Sequence, residues 1–140
     1  MLLAVMWLCE TALSPANAND KMSDDEIRRA LVGSWIVPPD SSDRTEENGR
    51  SVELFRSDGT YTAYIYADRA CTELAKQMEV RWFVENGVLS SALPGSGSVV
   101  QVMSRDEVIN IQNGVMTLHS LDDGSTYTRV KAKTCGIEKI

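Results

Sequence analysis

Histidine is almost missing from this chain. Its 140 residues hold one, His119, together with three cysteines. That scarcity leaves little to build a zinc site from, and the cysteine spacing supplies none. Basic residues are few as well: 14 Lys and Arg stand against 20 Asp and Glu, for a net charge of −6. A nucleic-acid-binding face is therefore not expected, and the pair Arg28-Arg29 is too small to make one. Long apolar runs are absent too. The stretch Leu2 to Leu8 is too short to span a bilayer, so no membrane span is expected.

Catalytic patterns are equally sparse. There is no Gly-x-Ser-x-Gly nucleophile elbow for His119 to serve. His119 alternates with Val115, Thr117 and Leu121, as a plain strand residue would. The Gly-Ser-rich run at 94–98 lacks the strand–turn–helix context of a phosphate loop and reads as a hairpin loop. Asp122-Asp123 and Glu46-Glu47 sit in turn-like segments as solvated charges, without EF-hand spacing. The expectation is a protein that is not an enzyme and carries neither metal nor cofactor.

What is present begins with "MLLAVMWLCETALSPANA". An apolar run followed by the small-x-small sequence Ala16-Asn17-Ala18 predicts a cleaved export signal over 1–18. Two features run against the pattern: no Lys or Arg precedes the run, and Glu10 interrupts it. A start codon slightly displaced from the true one accounts for both. Cys9 follows Trp7-Leu8 rather than a small residue, which disfavours a lipid anchor. Removal of 1–18 leaves Cys71 and Cys135. An even pair in an exported chain reads as one disulfide, tying the tail to the body. Closing that loop contributes roughly 4 kcal/mol; two unpaired thiols are the alternative. A periplasmic or secreted location follows.

Residues 19–32 form a helical lead. Ser23 is a good N-cap with Glu26 at capping-box spacing. Asp24 and Asp25 suit the first turn, and Arg28 and Arg29 the last. Beyond Gly33 the hydrophobic period changes from helical to alternating. About eight or nine short strands follow, separated by turn signals such as Ser57-Asp58-Gly59, Asn86-Gly87, Asn113-Gly114 and Asp122-Asp123-Gly124. Tight turns make neighbours antiparallel. The predicted architecture over 33–140 is all-β, an eight-stranded antiparallel up-and-down barrel, whose closure removes exposed edges. A two-sheet sandwich is the alternative.

The stretch "RALVGSWIV" then gains meaning. A helical lead running into Gly-x-Trp at the first strand resembles the calycin superfamily, and within it small bacterial lipocalin-like domains. The resemblance covers about residues 23 to 132. It implies that Trp35 plugs the closed end, that Gly33 lets the chain bend into the barrel, and that Arg129 on the last strand packs across Trp35. There is no clear second family motif and no helix after the last strand, and the chain is short for a ligand-carrying member, which implies a smaller barrel.

The resemblance also implies a small hydrophobic ligand in the open end. The candidate lining is Val52, Leu54, Tyr61, Ala63, Ile65, Met78, Val80, Trp82, Met116 and Leu118. Met and aromatic side chains suit an adaptable pocket, while the same positions also serve a barrel that is simply filled. The alternative function is a protein-binding barrel, such as a periplasmic protease inhibitor with Asn19 to Leu31 as its arm. A monomer is expected in either case.

Overall fold

A computed structural model describes residues 21–38, 49–93, 101–132 and 135. The expected signal segment lies outside these residues, as do Glu46-Glu47 and the Gly-Ser-rich run. Helix α1 (Asp24–Leu31) starts on the expected capping box. The Ser23 backbone N–H donates to Glu26 at 2.8 Å, and the Ser23 hydroxyl accepts from the Glu26 N–H. Its apolar side, Ile27 and Leu31, is fully buried.

Eight strands follow: β1 (Gly33–Ile36), β2 (Arg50–Phe55), β3 (Thr60–Tyr66), β4 (Leu74–Glu85), β5 (Val88–Leu93), β6 (Gln101–Gln112), β7 (Val115–Ser120) and β8 (Thr126–Lys131). Each pairs antiparallel with the next, and β1 closes on β8, giving a barrel rather than a sandwich. Both Asn-Gly pairs have positive φ at each residue, as a two-residue hairpin turn matched to strand twist requires. The segments around Arg105-Asp106 form one continuous strand, β6. Its register shifts once against β5 and once against β7, as β-bulges do.

Residues directly opposite across an antiparallel pair share a face. Following that rule from Trp35 through Glu53 and Ala63 traces the interior. The inner core joins Ile27 and Leu31 of α1 to Trp35, Phe55, Trp82, Val84, Leu89, Val108, Met116 and Leu118. The helix thus plugs one end of the barrel. A second cluster covers the outer face of β2 and β3: Val52, Tyr64 and Tyr66, with Ile36, Leu54 and both cysteines against it. The Cys71–Cys135 disulfide is formed, across a sequence separation of 64 and with Cα atoms 5.4 Å apart. It staples the tail over this outer patch.

The plug is held by three contacts. The Trp35 indole N–H donates to the Leu31 carbonyl at 2.7 Å. The Lys131 ammonium lies 4.6 Å from the Trp35 ring centroid and donates to the Val32 carbonyl at 2.9 Å. Lys131 faces Trp35 because the two are register partners across the β1–β8 seam. The expected arginine–tryptophan contact is thereby recast. Lys131 is the cation over Trp35, while Arg129, opposite Met116, joins Glu53 and Tyr127 deeper in the barrel. Gly33 has φ +122°, and a Cβ there would come within 3.1 Å of the Lys131 ammonium. Only glycine suits both the bend and that approach. At the other end of α1, the Asp24 carboxylate accepts from the N–H groups of Asn86 and Gly87 at 2.9 and 2.7 Å.

Trp35→Ala is expected to cost about 3–5 kcal/mol, by removing a buried aromatic and leaving a cavity. Urea denaturation measures it. Asp24 gives a pH signature. The Gly87 N–H bond, with help from Asn86, holds its carboxyl below the ordinary range. Its contribution is complete above the unfolded value of about 3.9 and is lost as pH falls through the lower folded value. In an acid titration, Asp24→Ala should therefore start less stable and lose less over that interval than the parent protein.

Candidate functional site

Below the plug the interior is not filled. A cavity of about 230 Å³ lies among β2 to β8. Part of its lining is apolar: Phe55, Trp82, Leu89 and Leu118. The rest is polar and interleaved with it: Glu53, Asp106, Arg129, Tyr61, Tyr127, Ser91 and Ser104. Strand register brings them together. Phe55 lies opposite Tyr61, Leu89 opposite Asp106, Ser91 opposite Ser104, and Leu118 opposite Tyr127.

The apolar part is rigid. Phe55 packs at 4.8 Å from Tyr61 and edge-on at 5.6 Å from Trp82. The Trp82 indole N–H is tied to the carbonyls of Arg56 and Thr60 at 3.1 and 3.0 Å. The polar part is an ordered network. Arg129 Nε pairs with Glu53 Oε2 at 2.9 Å, with Arg129 buried and Glu53 partly buried. The guanidinium lies 4.5 Å from the Tyr127 ring centroid and also donates to the Thr128 carbonyl. The Tyr61 hydroxyl donates to Glu53, and burial, then the Glu53 charge, push its pKa well up. The Tyr127 hydroxyl donates to Asp106. Burial first, then that bond, raise its pKa far above a free phenol. Burial also raises the Asp106 carboxyl, with the Asp122 and Glu53 charges adding to it and Tyr127 and Arg129 opposing it. The Ser91 and Ser104 hydroxyls are 2.6 Å apart.

Of the expected lining, Tyr61, Trp82 and Leu118 border this cavity. Met116 is buried in the same inner core. Val80 is buried opposite Tyr61 on the inner face, while Ala63, Met78 and Ile65 continue that face away from the plug, half-buried. Leu54 and Val52 are on the opposite face, in the outer cluster. Their hydrophobicity misleads because the outside of β2 is itself covered. Counting back through the Ser57-Asp58-Gly59 turn, with Phe55 opposite Tyr61, assigns Glu53 to the interior instead. Asp106 carries no such signal, since a lone acid in a strand reads as solvent-facing.

His119 is outside the cavity lining; its Nδ1 is 3.2 Å from the Thr126 hydroxyl. Residues 24–31 of the expected inhibitor arm are the plugging helix itself, and Asn19 and Asp20 lie outside the described residues. Among the described residues no helix is long and apolar enough to cross a membrane. Comparison with protein-family models, curated proteins and solved structures found no match.

The buried ion pair makes a sharp prediction. Arg129→Met leaves the Glu53 charge uncompensated and should cost about 3–5 kcal/mol. The double variant Glu53→Leu with Arg129→Met should recover much of that loss. Thermal and urea unfolding of the singles and the double, treated as a double-mutant cycle, measure the coupling.

Proposed function

We propose that this protein is an exported lipocalin-like binding protein of the calycin type, which holds one small ligand inside its barrel and performs no catalysis on it. The observation that carries the reading is the cavity in the barrel, lined by aromatic side chains together with a connected set of polar ones. A barrel of this size can be filled by side chains, and a site left open beside rigid aromatics and convergent polar groups fits ligand recognition. The lipocalin-like assignment is supported by the helical lead, Gly33 at the bend, and Trp35 under a cation from the last strand. Export to the periplasm or medium is supported by the signal-like N-terminal stretch and by the disulfide, which suits an oxidising compartment. A binding role is supported by the polar groups themselves. They are engaged in an ion pair and tyrosine hydrogen bonds, rather than in a nucleophile–base pair.

The test is the mass of mature protein purified natively from its own compartment. The native mass should exceed the denatured mass by that of one small molecule. Ser91→Phe, which places a ring in the cavity, should abolish the difference while the far-UV spectrum and monomeric size stay unchanged. Equal native and denatured masses for the parent protein would sink the reading.

A further inference from the structure

The charge balance of the cavity points to the class of ligand. Among the described residues its lining holds two carboxylates, Glu53 and Asp106, and one cation, Arg129. Arg129 is already committed: to Glu53 at 2.9 Å, to the Thr128 carbonyl at 3.1 Å, and to the Tyr127 ring. Asp106 is 6% exposed. It receives a hydrogen bond from the Tyr127 hydroxyl, and a carboxylate has room for several more donors. The same cavity is lined by the rings of Phe55, Tyr61 and Trp82, and π-faces attract cations in dry surroundings.

Resting on the reading of this cavity as a binding site, we propose that its ligand is a small aromatic amine, bound as the ammonium ion against the Asp106 carboxylate and the aromatic rings. An anionic ligand would meet two carboxylates and an arginine already paired with one of them, Glu53. A wholly apolar one would leave a buried carboxyl facing hydrocarbon. An ammonium donates to Asp106, restores neutrality to the cluster, and rests its ring on the aromatic side chains. Burial works against the Asp106 charge, and an ammonium beside it would oppose that effect. A volume of about 230 Å³ admits on the order of ten non-hydrogen atoms at interior packing density, one ring with a short arm.

The experiment titrates the folded, disulfide-bonded protein with three ligands of one shape: 2-phenylethylamine, 2-phenylethanol and phenylacetate. Binding is followed by calorimetry and by the fluorescence of Trp82 against a Trp82→Phe control. The amine should bind one to one, roughly tenfold or more tighter than the alcohol, with phenylacetate weakest. Asp106→Asn should remove most of the amine's advantage. An alcohol that binds as well as the amine, or a preference for phenylacetate, overturns the assignment of a cation and leaves the binding site standing. No binding of any of the three overturns the aromatic amine, and with it the binding reading only where the native and denatured masses are also equal. The series on the unaltered protein decides between these outcomes even where Asp106→Asn fails to fold.

Discussion

The barrel depends on one seam. Strand β1 is short, and it must join β8 for the sheet to close. Trp35 lies directly opposite Lys131 there, so the closing ladder and the plug are the same few atoms. The lysine covers the indole and also reaches the carbonyls of Ala30 and Val32 at the end of α1. A cation at a helix C-terminus is favourable for that helix. Closing the sheet, ending the helix and sealing the interior are therefore coupled, and Gly33 supplies the space for all three.

With one end sealed, the interior could have been filled with apolar side chains. Instead it holds Glu53 paired to Arg129, and Asp106 held by Tyr127. A buried ion pair is a weak source of stability compared with well-packed hydrocarbon. It stands beside an open volume that side chains do not fill. The plugged half of the barrel is densely apolar, and the polar network begins one layer beyond it. The outer cluster under the disulfide gives β2 and β3 a second buried face, which stiffens the wall carrying Glu53 and Tyr61.

Much of this was legible along the chain. The capping box, the Asn-Gly turns, the break at Gly33 and the alternation of Val80, Trp82 and Val84 are local signals with local causes. Each appears as expected. So does the pairing of Cys71 with Cys135. The faces of β2 were not legible from hydrophobicity, because Val52, Leu54 and Phe55 are all apolar and both sides of that strand are covered. Nor was the choice between Arg129 and Lys131 as the cation over Trp35. That depends on the register of two strands separated by almost the whole domain.

The sequence by itself determined the helix, the turns, the order of the strands and their antiparallel sense, since turns, caps and alternation act over a few neighbours. Only the tertiary structure decided which carboxylates enter the interior, which cation meets which, and that a space remains among them. Closure sets the stagger between strands far apart in the chain, and a period of two cannot say which face of a doubly covered strand looks inward. An acid within a strand is read as solvent-facing until the register shows what lies opposite it.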